Sequence, residues 1–417
     1  MHIDPIRESN NNTFSNRVDK QQKIKQMMEE NLRVKLLAYR GAPQAVYHKA
    51  KERARLIFSG VSYQFVEDKP DILYFLSGGS EHPAMEQVET GEFYVLLGSR
   101  NDNSYASATE VKAYLNNLNI QSVLLDEESK ETPEFLADLL VVKRAFDVLK
   151  GKKLGLIGEV SNWLISSTIN SGLLADKLGI DLIRVPWSDI NHFSEFEPSA
   201  EFLKSFKNVR NFDLSDTARV NSMLTDTIGK FDLDAITVEC FPLVQKDSVT
   251  ACLPLARFNN VGFPAGCEGD ITAIVGMMLC KELTGTIPWI ANINKVSDEG
   301  CIFSHCTIAP GLVSDLHVKT HFETGKGTAI EGNFIGDTVT IFRFDKQLSK
   351  AFIALARITG RPKFTTACRT QIQVDLTKEE VRLLKESPLG NHHLIYPGNC
   401  TGLLRLASML KGIKILE

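Results

Sequence analysis

The sequence contains no Cys-x-x-Cys pair and no cysteine before Cys240. All 8 cysteines fall in the second half of 417 residues, so a disulfide scaffold is excluded and a paired-cysteine zinc site has no ligands. The thiols read instead as small, reduced core residues. Neither charge sign dominates: 47 Lys+Arg stand against 51 Asp+Glu, a net of −4, which gives no global pull toward nucleic acid or an anionic membrane. No apolar run is long enough to span a bilayer, and Met1 to Glu30 lacks the apolar segment of a secretory signal. A cytoplasmic location is therefore expected. The glycines of Lys153-Leu-Gly-Leu-Ile-Gly-Glu159 do not have the Gly-x-Gly-x-x-Gly spacing, which argues against a nicotinamide or flavin site. There is no internal repeat.

What is present is a long chain of ordinary globular composition, 43% hydrophobic and 24% charged, enough for two or three domains. Residues 1–31 read as a polar leader running into a helix near Val18 to Glu30. Residues 32–150 alternate short apolar runs with helical stretches. Val34 to Tyr39, Ile72 to Leu76, Phe93 to Gly98 and Ser122 to Leu125 predict buried strands, and Ser107-Ala-Thr-Glu110 predicts a capping-box helix start. Thr132-Pro133 opens a long helix that ends at Gly151. A second α/β unit over 151–286 continues the pattern, with strands at Leu182 to Val185 and Ala235 to Val238. Such alternation predicts two doubly wound parallel-sheet domains. After Thr286 the alternating runs Val339 to Phe344 and Ile372 to Val374, with the turn Glu323-Thr-Gly-Lys-Gly-Thr, predict an antiparallel β-rich domain over 287–417 that closes with a helix from Thr401 to Leu410.

The stretch from Gly262 to Thr286 organises the rest. Gly262, Pro264, Gly266 and Gly269 make a turn-rich loop. Ile271 to Cys280 is apolar on nearly every face and reads as a buried helix, capped by Asp270 or Thr272 and stopped at Gly285. Glu268 and Asp270 thus sit at a helix start whose free amides favour negative groups. Asp270 reads as an N-cap; Glu268 is equally a surface residue or a ligand presented in a cleft. His305 and the His392-His393 pair share with Glu268 a Gly/Pro-bounded turn beside an apolar run, and Glu239 is a further candidate. Glu239 stands at the C-terminal end of a strand, the functional edge of an open parallel sheet. His305 and the pair His392-His393 lie beside β-runs, where a core histidine is the plainer reading. A carboxylate with two imidazoles suits Mn²⁺, Fe²⁺ or Zn²⁺.

Four blocks in order carry a family resemblance: Pro264-Ala-Gly-Cys-Glu-Gly-Asp270 with Leu279-Cys-Lys-Glu-Leu-Thr-Gly285, Ala291-Asn-Ile, Ser304-His305, and Gly390-Asn-His-His393 followed by the Thr401 helix. They resemble the L-fucose and L-arabinose isomerases, and Ala367-Cys-Arg-Thr-Gln371 with Leu389-Gly-Asn-His-His393 resembles the shorter fucose-isomerase-like subgroup. The resemblance implies two α/β domains and a β-barrel-like domain, assembled as a trimer or hexamer in which a neighbour's first domain helps close the sugar pocket. It implies a Mn²⁺ or other divalent centre at Glu268, His305 and His392, with His393 the alternative ligand, and aldose–ketose interconversion through an ene-diol with Glu268 as acid–base group. Candidate sugar contacts are Glu81, Trp163, Asn292 and Arg369. One departure stands out: Asn292 occupies the place of a second metal-binding carboxylate, and Glu239 is the candidate to supply the missing charge and act as the base. The competing readings are a sugar-binding protein without turnover, and another carbonyl enzyme such as an epimerase or aldolase-like lyase.

Overall fold

The structure, a computed structural model, describes residues 31–417. The helix expected over 18–30 lies outside the described residues. The chain divides into two compact units, the first ending at Val148 and the second running from Leu149 to Glu417.

The first unit holds a parallel sheet of β1 (Leu32–Leu37), β2 (Tyr63–Phe65), β3 (Ile72–Phe75), β4 (Tyr94–Gly98) and β5 (Ser122–Asp126) in the order β2-β1-β3-β4-β5. β3 and β4 are buried throughout, which is why they read as continuous apolar runs rather than alternating ones. The helix expected at Ser107 starts earlier, at Ser104. Asp102 and Asn103 both adopt positive φ and turn the chain there, while the Ser104 hydroxyl donates to the Phe75 carbonyl at 2.6 Å. The Ser107-to-Glu110 pattern therefore falls inside a helix already begun.

In the second unit β6 (Lys153–Ile157), β7 (Asp181–Val185), β8 (Ala235–Val238) and β9 (Ala265–Cys267) form a parallel sheet in the order β7-β6-β8-β9. Nine strands follow: β10 (Trp289–Val296), β11 (Gly300–His305), β12 (Val313–Lys319), β13 (Ala329–Phe334), β14 (Thr338–Phe344), β15 (Lys350–Gly360), β16 (Thr370–Asp375), β17 (His392–Pro397) and β18 (Lys414–Ile415). Six of them close an antiparallel barrel, β14-β17-β10-β11-β16-β15, sealed by pairing of β14 with β15. β12 and β13 form a separate ribbon.

Helix Ile271–Thr284 explains its own composition. It contacts β8 and β9 on one side and β14 and β17 on the other, so from Ile271 to Cys280 no face is left for water. Asp270 caps it by accepting the Ala273 amide at 2.8 Å, and Gly285 ends it with a φ of 76°. Gly276 is where the barrel comes nearest: a Cβ there would lie 2.5 Å from Cδ1 of Leu394. Phe202 and Leu253 of the α/β region share one continuous core with Trp289, Phe303, Ile341 and Ile395 of the barrel. Among the described residues no helix is long and apolar enough to cross a membrane.

Candidate metal centre

β9 ends at Cys267, and the three residues after it build the site. Glu268 and Gly269 have φ of 61° and 70°. Glycine takes this conformation freely, whereas for glutamate it costs roughly 1–2 kcal/mol. The surroundings hold it there: the Ser161 amide donates to the Glu268 carbonyl at 3.0 Å and the Gly269 amide to Val238 at 3.2 Å. A strained backbone at the C-terminal edge of a parallel sheet is a frequent mark of a functional position.

The turn aims the Glu268 carboxylate at two imidazoles. Oε1 lies 3.6 Å from Nε2 of His305 and 3.8 Å from Nε2 of His392, while Oε2 accepts the Trp163 indole N–H at 2.7 Å. Burial alone would raise the Glu268 pKa, but the imidazoles of His392 and His305, with the Trp163 indole N–H, outweigh it and hold the group at about 2.

The two histidines are prepared differently. Nδ1 of His392, at the start of β17, lies 2.9 Å from Oδ2 of Asp270, so Nδ1 carries the proton. Its Nε2 is buried, faces Glu268 and has no hydrogen-bond partner. A carboxylate behind a histidine whose far nitrogen is free is the usual support of a metal ligand. Burial pushes the His392 pKa down, yet Glu268 and Asp270 together carry it above its ordinary value. His305 closes β11 with Nε2 3.6 Å from Sγ of Cys267, and its Nδ1 receives the Thr307 amide at 3.3 Å. Neutral His305 thus keeps its proton on Nε2, and burial holds its pKa below the ordinary value. Ligation through Nε2 would place that proton on Nδ1, at the expense of the long Thr307 contact.

Cys267, Glu268 and His305 each offer one ligand atom, all within 4.8 Å of one another, and this group can hold a metal ion. Ligands at bond lengths of about 2.0–2.3 Å around a tetrahedral ion sit roughly 3.3–3.7 Å apart. The separations of 3.6 and 3.8 Å are long for hydrogen bonds and close to that spacing. The orphaned Nε2 of His392 points the same way. The Cys267 thiol is pushed well above its ordinary pKa by burial and by the Glu268 charge, so without a cation it stays neutral.

Asp270 does more than the capping read from the sequence. Oδ1 accepts from Ala273 and from the Thr272 hydroxyl, at 2.8 and 2.6 Å, while Oδ2 holds His392 and lies 3.6 Å from Arg343. Burial raises its pKa, but Arg343 and His392 overcome this and keep it well below the usual carboxylate range. Arg343 in turn donates to the His392 carbonyl and, at 3.0 Å, to the Ser167 hydroxyl. The cap signature was legible; the second oxygen's partners, far along the chain, left no local trace.

Trp163 joins the cluster. It is 49% exposed, and its ring meets Phe241 edge-on at 4.6 Å between centroids. Glu239 is taken up by the Trp187 indole N–H at 3.1 Å and the Glu159 amide at 3.0 Å, away from the imidazoles. His393 lies among barrel aromatics, 5.8 Å from Phe303 and 5.6 Å from Phe352 between centroids, where burial and the nearby Arg343 charge lower its pKa to about 3. Successive strand residues face opposite ways, so of the pair only His392 meets Glu268. Asn292 pairs across the strand with His392, but its Oδ1 accepts the Asn391 side-chain Nδ2–H at 2.5 Å. Arg369 is engaged with Thr320 at 2.8 and 3.2 Å. Glu81 opens a short helix of the first unit. Comparison with models of known protein families finds no match, and comparison with curated proteins finds none.

Proposed function

We propose that this protein is an aldose–ketose isomerase that works through an ene-diol with a bound divalent ion, Mn²⁺ in the first instance, as the L-fucose and L-arabinose isomerases do. One observation carries the reading: the buried, unpartnered Nε2 of His392 faces Oε1 of Glu268 at 3.8 Å while Asp270 holds its other nitrogen. Glu268, His392 and His305, with Cys267 beside them, would hold the ion, which when bound supplies Lewis-acid polarisation to the O1/O2 pair of a sugar. Asp270 and Arg343 keep His392 in the correct tautomer. Trp163 presents a half-exposed ring as a stacking face and fixes Glu268 through its indole N–H. The family resemblance adds a trimeric or hexameric assembly.

The test is incubation with Mn²⁺ and a panel of unphosphorylated aldoses, followed by ketose determination. Ketose should form with metal, disappear with EDTA, and be lost in His392→Ala together with bound metal. A second reading, sugar binding without turnover, draws on Asn292, which leaves Glu268 the one carboxylate that faces the Nε2 atoms of both imidazoles. It predicts metal binding and sugar-dependent quenching of Trp163 fluorescence with no ketose from any aldose.

A further inference from the structure

The isomerase reading takes Mn²⁺ from the family resemblance, whereas the donor atoms gathered around Glu268 include a sulfur. Among the described residues one group of His, Cys, Asp or Glu side chains brings three ligand atoms within 4.8 Å of one another, and it is Cys267, Glu268 and His305. The geometry points to Cys267 as a direct sulfur ligand of the ion, and hence to a centre that selects Zn²⁺ over Mn²⁺. This rests on the metal centre of the isomerase reading and not on turnover.

The backbone explains how two neighbouring residues reach one ion. Along a strand successive side chains point to opposite faces, so Cys267 and Glu268 would part if β9 simply continued. The left-handed φ of 61° at Glu268 ends that alternation and brings its carboxylate round to the side of the Cys267 thiol. His305 completes the trio: its Nε2 is 3.6 Å from Sγ of Cys267 and 3.6 Å from Oε1 of Glu268. A sulfur at about 2.3 Å and a nitrogen at about 2.0–2.1 Å from a tetrahedral ion stand roughly 3.5 Å apart, close to the observed separation. All eight cysteines are buried and free of disulfides, and of them Cys267 alone belongs to such a group.

Manganese favours carboxylate, carbonyl and water oxygens, whereas a thiolate favours Zn²⁺. Oxygen is scarce here. Glu268 faces both Nε2 atoms, but Asp270 is taken up by Ala273 and Thr272 through Oδ1 and by His392 and Arg343 through Oδ2. Asn292 carries no charge and is engaged with Asn391. A Cys267 thiolate supplies the second negative charge that Asn292 does not, so that with Glu268 it balances a divalent ion. On binding, the S–H bond gives way to a sulfur–metal bond, the electron pair stays on sulfur and the proton leaves to solvent. No oxidant or reductant is needed.

Three measurements on the intact protein test this. Metal-stripped protein is loaded with Co²⁺, whose bond to a thiolate gives a near-ultraviolet sulfur-to-metal charge-transfer band that oxygen and nitrogen ligands do not give. The band should appear in the unmodified protein and be absent from Cys267→Ser. X-ray absorption of the unmodified, Zn²⁺-loaded protein should show a sulfur neighbour at about 2.3 Å, a readout that needs no variant to fold. In competition dialysis, Cys267→Ser should lower Zn²⁺ affinity by about tenfold or more, at least what loss of a supporting partner brings, and leave that for Mn²⁺ unchanged. Bound metal with no sulfur band and no sulfur neighbour, or a band that survives Cys267→Ser, overturns the assignment and leaves the isomerase reading intact. No metal on the unmodified protein overturns both. A band that Cys267→Ser removes, with no ketose from any aldose under Zn²⁺, Co²⁺ or Mn²⁺, overturns the isomerase reading and leaves Cys267 a ligand.

Discussion

Two glutamates follow neighbouring parallel strands of one sheet and meet opposite circumstances. Glu239 comes directly after β8 and finds an indole N–H and a backbone amide, which satisfy one carboxylate oxygen between them. Glu268 comes directly after β9 and finds two imidazoles at distances too long for ordinary hydrogen bonds and about right for a shared ion. The sheet edge is the same and the local signal, a carboxylate at a strand's end, is the same. What differs is the other wall. Beside β9 stand the ends of β11 and β17 from the barrel, and only they deliver His305 and His392. The C-terminal edge of a parallel sheet therefore marks where a site can be built; the partner layer decides which acid becomes part of it.

The strongest way to break this contrast is to remove the support behind His392. Asp270→Asn keeps the helix cap but leaves buried Arg343 without its counter-charge, and losing one partner of a buried pair costs about 3–5 kcal/mol. The urea midpoint should fall accordingly, and metal affinity should fall about 10–100-fold. The double variant Asp270→Asn/Arg343→Met should recover part of the stability, because no uncompensated charge then remains.

Glu268→Gln against Glu239→Gln is the direct comparison. The first should lower metal affinity by about a hundredfold or more, since a neutral amide replaces the one carboxylate that faces both Nε2 atoms. The second keeps an oxygen acceptor for Trp187 and Glu159, so metal content after dialysis should match the unmodified protein within about twofold. Equal losses in the two would erase the distinction drawn between the strand ends.

The adjacent histidines sharpen the same point through pH. His393, buried in the barrel with its pKa lowered to about 3, stays neutral in the folded chain down to that pH. Unfolded, it binds a proton below about 6.5. The unfolded state therefore binds more protons between these limits, and folding stability falls with falling pH by up to about 1.4 kcal/mol per unit. His393→Leu should flatten the urea-midpoint profile between pH 6 and 4 by about one proton while leaving metal content unchanged. Glu268 and Asp270, with depressed values, act lower: their contribution is present above about pH 4 and is lost as pH falls further. The smallest effect is expected from Trp163→Phe, which removes one hydrogen bond to Glu268 and should cost metal affinity less than about tenfold.

By itself the sequence determined the local order of this protein. The alternating apolar runs specified parallel α/β layers before an antiparallel region, and the all-apolar helix after Asp270 announced a segment enclosed on every side. Glu268, His305 and His392 could be set together because each stands in a turn at the end of an apolar run and because the order of blocks resembles one family. These features depend on repeats of two or 3.6 residues and on caps within a few positions, which any window of the chain contains. Only the tertiary structure decided the rest: that the second oxygen of Asp270 reaches a histidine 122 residues away, that Arg343 backs it, that His392 and not His393 faces the acid, and that Glu239 is spent on Trp187. Those outcomes come from contacts between layers, and nothing in the spacing of neighbouring residues encodes which distant strand will supply the facing group.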